Sequence, residues 1–531
     1  MLSRRTIFGL SLLLSAVAGC GDDDRPEGGV DAGLDAATDA SPVPDSGEPD
    51  APWEPAPPFP DDFLWGSATA PYQIEGGLHD SDWYRWERLG KISSCDSADD
   101  GPDGWNLWEE DLDLARDLGT NAYRFGIDWS RLYPTREAWD ADTPDAEAVQ
   151  RYHDMLAGMR ERGIAPMVTL QHFVLPTWLS EPCDLDNRPG WLMPEMMDLL
   201  PEWARRVALE FGDEVDLWIT INEPMVYDVA ANFLGMFPPG ARHSGIMTPE
   251  LAFEDMILTA RHMIYAHAAA YDAIHEVDDT ALVSIAKNNR AFEPSNLDSP
   301  ADQEATDGLR YAMNRVFLDA IIRGDLDLTL DGDTDDEGEG SAIPELVGRA
   351  DFIGLNYYSR TLVMSIEDFP LPGMPLFEPF PTPEPKTDFG WDIYPAGFAV
   401  VLEELREYGL PVYITENGIA DSGDVMRATF VTEHLDVLAR AIASGIDVRG
   451  YFHWSLMDNF EWVMGYCPRF GLYSVDFETK ERTASLGAQA YAEIIAAGRV
   501  TQELHDRYAG YGEPTTCRSE NCQDPAEECP E

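Results

Sequence analysis

The chain is poor in lysine. Only Lys91, Lys287, Lys386 and Lys480 occur in 531 residues, and 36 basic residues face 98 acidic ones, for a formal net charge of −62. A surface of that sign repels phosphate backbones and anionic lipid, which excludes nucleic acid as a partner. The scarcity of lysine fits a GC-rich genome or, on a second reading, adaptation to salty surroundings. Long apolar runs are missing too. The run at Ile7–Val17 is too short to cross a bilayer. No internal repeat is visible, so a solenoid or propeller is not indicated. The seven cysteines form no Cys-x-x-Cys pair and no paired histidines accompany them, so no metal site is expected.

What is present at the N-terminus is an export address. Arg4 and Arg5 precede the apolar run, and small residues follow it. Val17-Ala18-Gly19-Cys20 resembles a bacterial lipobox, in which the cysteine is acylated and becomes the mature N-terminus. Ser3-Arg4-Arg5-Thr6-Ile7-Phe8 resembles a twin-arginine signal less closely. The expectation is an exported protein held at a membrane, periplasmic or cell-surface, through a lipid on Cys20. Residues 1–19 then form the signal peptide. Residues 20–58, mostly Asp, Gly, Ala, Pro and Ser, form a disordered acidic tether. The folded domain is expected over 59–505. A polar tail, 506–531, carries three of the six remaining cysteines and is either stapled locally or loose. Six is an even number in an oxidising compartment, so disulfides are expected, with their connectivity open.

Eight short apolar runs, rich in β-branched and aromatic residues, punctuate the central part. They are Phe63–Ala70, Asn121–Ile127, Ala165–Gln171, Asp216–Glu223, Ala281–Asn288, Phe352–Ser359, Pro411–Gly418 and Val448–Ser455. Most are continuously hydrophobic, as a strand buried on both faces must be. Helical periods lie between them, at Trp105–Leu118, Gln150–Arg162, Met197–Phe211, Ala252–Ile274 and Phe398–Tyr408. Strands alternating with helices indicate an α/β fold, and eight of them a single TIM (β/α)8 barrel. Residues 361–385 are proline-rich and unpatterned and read as a long loop. Asp331–Gly340 reads as acidic and flexible.

Two of the runs end in a carboxylate. The fourth closes Ile219-Thr220-Ile221-Asn222-Glu223-Pro224, and the seventh closes Val412-Tyr413-Ile414-Thr415-Glu416-Asn417-Gly418. A barrel collects its chemistry at the C-terminal strand ends, so both glutamates should face one mouth. Alone, each could be half of a structural ion pair. Together they match what acetal hydrolysis needs: one carboxyl protonates the leaving oxygen while the other attacks the sugar carbon.

At these motifs the chain resembles a family 1 glycoside hydrolase, the β-glucosidase family. The likeness runs from about Phe59 to Tyr491. It rests on Phe63–Gly76, Thr220–Pro224, Asn356-Tyr357-Tyr358-Ser359, Ile414–Gly418, Gly450–Trp462 and Arg469-Phe470-Gly471-Leu472-Tyr473. The resemblance implies a retaining β-glycosidase, β-glucosidase-like, acting by double displacement on the non-reducing terminal β-linked sugar of an oligosaccharide or glycoside, whether glucoside, galactoside or fucoside. Glu223 would be the acid/base, with a raised pKa, and Glu416 the nucleophile. Arg124 and Tyr358 would flank Glu416, keeping it ionised and oriented. Asn222 would hold the sugar 2-hydroxyl. Gln73, His172, Trp454, Glu461 and Trp462 would bind the sugar. The carboxyl groups should lie about 5–5.5 Å apart, the spacing for retention. No cofactor is expected, because carboxyl groups perform every proton and covalent step.

Three places depart from the family pattern. Phe173 and Val174 stand where many members carry Trp and Asp, Gly126 and Asp128 stand where serines are common, and Cys467 sits near the expected mouth. A transglycosidase using the same residues is the alternative reading. A surface protein that merely binds glycans is a third, disfavoured by the intact glutamate pair.

Overall fold

The computed structural model describes residues 53–245, 247–366, 374–377, 382–515, 517, 521–522 and 525–529. The signal segment, Cys20 and the tether up to residue 52 lie outside the described residues.

Eight strands, all parallel, close a barrel: β1 Leu64–Ala68, β2 Ala122–Gly126, β3 Ala165–Thr169, β4 Leu217–Asn222, β5 Leu282–Asn288, β6 Ile353–Asn356, β7 Val412–Asn417 and β8 Val448–Trp454. Each falls inside one of the eight runs of the sequence. Every residue of β2, β4 and β7 is buried, which is why those runs carry no polar alternation. The barrel shuts where β1 pairs with both β2 and β8, for example Ser67 beside Tyr123 and beside His453.

Helices wrap the barrel: α1 Gly104–Asp117, α2 Ala146–Glu161, α3 Met196–Phe211, α4 Pro249–Val277, α5 Pro395–Leu405, α6 Arg427–Ala443 and α7 Leu486–Ala497. Their starts follow local chemistry. The Asp145 carboxylate caps α2 by accepting from the backbone N–H of Glu147 and of Ala148, both at 2.9 Å. Prolines open α4 and α5, where a missing N–H costs no hydrogen bond. On α3, Met196, Leu200, Trp203, Val207 and Phe211 recur at helical spacing and are all buried, so one stripe of the helix packs inward.

Three expectations change. The segment expected to be a loop contains strands. Arg360–Ile366 pairs in parallel with Ala291–Pro294 and antiparallel with Met374–Phe377. Its prolines disguised it, but Pro375 lies on the outer strand, where no second ladder needs its N–H. The acidic stretch is pinned at its base. The Asp327 carboxylate accepts from the N–H of Leu330 at 2.6 Å and of Gly332 at 2.8 Å, and that of Glu339 accepts from Leu328 at 2.8 Å. The end of the tether is docked as well. Trp53 stacks on His505 at 4.1 Å, and Arg499 donates to the Ala56 carbonyl at 2.9 Å. Trp53 is the one aromatic group of the tether, and it finds a partner.

The C-terminal tail is bound to the barrel rather than stapled to itself. Disulfides join Cys95 to Cys522, Cys183 to Cys529 and Cys467 to Cys517. Cys95, Cys183 and Cys467 lie in the segments following β1, β3 and β8. Arg85 and Arg88 both pair with Glu527, drawing the tail onto the same face. The strap therefore ties together loops at the C-terminal rim of the barrel. Replacing Cys95 and Cys522 by serine should lower stability by about 2–4 kcal/mol, read as a reduced midpoint in chemical denaturation.

Candidate active site

The two glutamates sit at the C-terminal ends of their strands, and both line one pocket. Glu416 is the penultimate residue of β7 and Glu223 directly follows β4. Gly418 lets the first of these ends lie close against β8: a Cβ there would stand 1.8 Å from the Trp454 carbonyl oxygen. Glu223 occupies a left-handed backbone conformation, φ 44, as do Phe173 at 60 and Trp462 at 48. All three line the pocket. Strain of this kind persists where the surrounding structure over-determines it.

Arg124 on β2 organises the floor. Its Nη1 donates to Glu416 Oε1 at 2.7 Å and its Nη2 to Asn222 Oδ1 at 2.7 Å. Its Nε donates to Thr169 Oγ1 at 3.1 Å. The Tyr358 hydroxyl donates to the second Glu416 oxygen at 2.6 Å. Both oxygens of Glu416 are thus held by separate donors, which fixes the plane of the carboxylate. Burial outweighs the downward pull of Arg124, Tyr358 and Asn356 and leaves the Glu416 pKa raised above its ordinary value.

Glu223 lies in different surroundings. Its Oε1 accepts from Asn356 Nδ2 at 2.8 Å and Asn288 Nδ2 at 3.1 Å, neither of them a cation. Its own N–H donates to the Ala286 carbonyl at 2.7 Å. Burial first, and the Glu416 charge second, push its pKa up to about 7. The two carboxyl groups are therefore separated in kind, one clamped by a guanidinium and one held by neutral amides.

The residues expected to hold the sugar converge on the same cavity. Glu461, Trp454, Trp462 and His172 line it. Gln73 lies behind, donating from Nε2 to Asn459 Oδ1 at 3.0 Å, to the Phe460 carbonyl at 2.8 Å and to Glu461 Oε2 at 3.4 Å. Asn222 Nδ2 donates to His172 Nε2 at 2.9 Å, which leaves the imidazole proton on Nδ1. Burial and then the Arg124 charge depress the His172 pKa well below its ordinary value, so the ring is neutral. His172 Nδ1 and Gln73 Oε1 are buried with no hydrogen-bond partner among the described residues. A donor on the cavity lining and an unmatched acceptor behind it suit a polyhydroxylated ligand. Burial, reinforced by Glu416 and Glu223, raises Glu461 to about 8.

The departures resolve separately. Phe173 lines the cavity. Val174 is buried. Asp128 caps the short helix Trp129–Leu132, accepting from the Arg131 N–H at 3.0 Å. Gly126 makes room for Pro71, whose ring would lie 2.7 Å from a Cβ at that position. Cys467 is in a disulfide.

Sequence reasoning overlooked Asn288, the amide role of Asn356, and Lys287. Lys287 is buried in β5 between Ala286 and Asn288, both of which hold Glu223, and its Nζ donates to the carbonyls of Asn288 and Met313. Burial lowers its pKa to about 7, opposed by the Glu223 charge. A lysine inside an apolar strand, in a chain with so few lysines, was the available signal.

A parallel barrel with two dissimilar carboxyls at its C-terminal rim, beside open sugar-type contacts, defines an enzyme scaffold for acetal chemistry. The comparisons with known proteins narrow this further. The profile of Glycosyl hydrolase family 1 matches residues 56–499, and the chain belongs to that family. It is 34% identical over 523 residues to a β-galactosidase of Pyrococcus woesei, spanning 84% of this chain and 99% of the relative. It is 33% identical over 458 residues to β-glucosidase A of Thermotoga maritima, spanning 82% and 97%. The crystal structure of a β-glycosidase from Thermosphaera aggregans superposes with a TM-score of 0.75 at 29% identity, covering 86% of this chain and all of that one.

Carboxyl 13C titration should place Glu223 at about 7. A Glu416→Gln substitution removes the neighbouring negative charge that disfavours ionisation, so Glu223 should then titrate at lower pH. An unchanged value would show that the two groups do not sense each other.

Proposed function

We propose that the protein is a retaining β-glycosidase that removes terminal non-reducing β-glucosyl or β-galactosyl residues by double displacement, with Glu416 as nucleophile and Glu223 as acid/base. The observation that carries the role assignment is the asymmetry of the pair. Glu416 faces Arg124, whereas Glu223 faces neutral amides and holds its proton below about 7.

In the first step Glu416 attacks the anomeric carbon while Glu223 gives its proton to the glycosidic oxygen. The C–O bond breaks and the aglycone leaves as an alcohol. The sugar is now an ester of Glu416, so the negative charge that had raised the Glu223 pKa is gone and Glu223 stays ionised. It then takes a proton from water as that water attacks the same carbon. Glu416 departs as carboxylate, and the sugar leaves with its β configuration. Asn222, held by Arg124 and Asn356, bonds the 2-hydroxyl in this reading, where such contacts strengthen in the transition state. His172 Nδ1–H, Gln73 Oε1 and Glu461 supply further contacts to hydroxyls. Trp454 offers its face to the C–H side of the ring.

The carboxyl roles separate in one experiment. Glu416→Gly should lose at least about 10⁴-fold in turnover, given a deleted nucleophile. With azide and a 2,4-dinitrophenyl β-glycoside it should form the α-glycosyl azide, because azide enters from the vacated side. Glu223→Ala should instead yield the β-azide, since Glu416 still forms the ester. The reverse pattern would exchange the two roles.

The protein is further proposed to be exported and anchored by a lipid on Cys20, periplasmic or at the cell surface, with the acidic stretch as its tether. The apolar run ending in Val17-Ala18-Gly19-Cys20 supports this reading. Labelled palmitate should enter the full-length protein in a bacterial host and be absent from Cys20→Ser. Equal labelling of both would remove the anchor.

A further inference from the structure

Resting on the glycosidase reading above, we infer that the site prefers glycosides whose leaving group is apolar, alkyl or aryl, over those whose leaving group is a second sugar.

The cavity divides by chemistry. Its titratable and hydrogen-bonding groups cluster at the strand ends, around Glu223, Glu416 and Glu461. Beyond His172, Tyr358 and Glu461, the segments that follow the strands bring two polar side chains to its lining, Arg290 and Thr361. Helical turns after β4 contribute Ala230 and Leu234, followed by Met236 and Phe237. Two aromatic groups adjoin them. In the first, Phe173 packs on Phe237 at 5.3 Å and on Trp462 at 5.0 Å. In the second, Phe389 and Trp391 stack at 4.7 Å with planes 15° apart, and Phe389 continues to Phe470 at 5.8 Å. Phe173 keeps its ring in this wall from a left-handed backbone, a conformation bulky residues rarely adopt. It is also the position where the sequence departs from the family pattern.

The remaining polar groups of the lining are already engaged with the protein. Asn288 serves Glu223 at 3.1 Å. Arg290 donates to Thr361 Oγ1 at 3.1 Å and lies 5.2 Å from the Trp391 ring centroid. A second sugar entering here would bring several hydroxyls into a wall of rings and thioethers. Each hydroxyl stripped of water without a partner costs about tenfold in selectivity or more. An alkyl or aryl group loses nothing of that kind, and gains about fourfold for each methylene it buries.

The test compares matched pairs that share their glycosyl group: hexyl β-glucoside against cellobiose, and hexyl β-galactoside against lactose. For the sugar better hydrolysed, the hexyl substrate should have a kcat/KM at least about tenfold above its disaccharide. A disaccharide that equals or exceeds its hexyl partner overturns the inference. Phe237→Ser should shrink that ratio severalfold, and the ratio is insensitive to a loss of folded enzyme. A ratio unchanged by Phe237→Ser also overturns it. A second arm needs no turnover. Hexyl 1-thio-β-glucoside should bind at least about tenfold more tightly than methyl 1-thio-β-glucoside by calorimetry, and equal affinities would overturn the inference. If no glycoside is cleaved but the hexyl ligand still binds more tightly, the glycosidase reading fails and the apolar site stands.

Discussion

The contact between Arg124 and Glu416 is the constraint around which the rest is arranged. Both side chains are sealed from solvent, at 0% and 4% exposure. A guanidinium does not shed its proton in a protein, so it must be matched where it lies. Its donors reach β3 through Thr169, β4 through Asn222 and β7 through Glu416 and the Thr415 carbonyl. Four strands are thereby registered on one cation. Asn222 passes the constraint on to His172 and accepts from Asn356, which also holds Glu223. A buried pair of this kind adds little net stability, because desolvation offsets attraction. Its value here is geometric: it sets where every neighbouring polar atom can be.

Around that cation the cavity carries three carboxyl groups, Glu223, Glu416 and Glu461. Of the three, only Glu416 is in direct contact with a guanidinium. The charge settles on Glu416, which has direct contact with Arg124, and the other two are driven to about 7 and about 8. The ordering follows from proximity to the guanidinium, so no special property of any glutamate is required. Lys287, beside Asn288 on β5, senses the Glu223 charge and is itself pushed down to about 7 by burial. The acid/base candidate is therefore coupled to a group whose own charge is marginal, and small changes in solvation at this end of β4 and β5 act directly on it.

Much of this was legible in the order of residues. Eight runs without polar alternation marked strands buried on both faces, and each became a barrel strand. The carboxylates at the ends of β4 and β7 were visible because burying charge in a greasy strand has few explanations. Other features were hidden for physical reasons. Prolines around Met374–Phe377 masked the small sheet built on Arg360–Ile366, since an outer strand tolerates them and a pattern search does not. Asn288 and Asn356 looked like ordinary strand-end amides, and only their shared contact with Glu223 distinguishes them. Gly126 and Asp128 looked like departures in the site, yet one accommodates Pro71 and the other caps a helix.

The amino-acid order alone determined the barrel, the pair of glutamates and the family, because strand periodicity and strand-end chemistry are local properties written within a few residues. Tertiary structure decided what depends on distance between remote segments. It set which amides hold Glu223, which cysteines meet, and that the tail straps three rim loops. It also gathered two aromatic groups, one with Phe173 and Phe237 and one with Trp391, around one cavity. Those outcomes rest on through-space contacts across tens to hundreds of residues, 427 in the case of Cys95 and Cys522. No local pattern encodes such a contact until the chain has closed on itself.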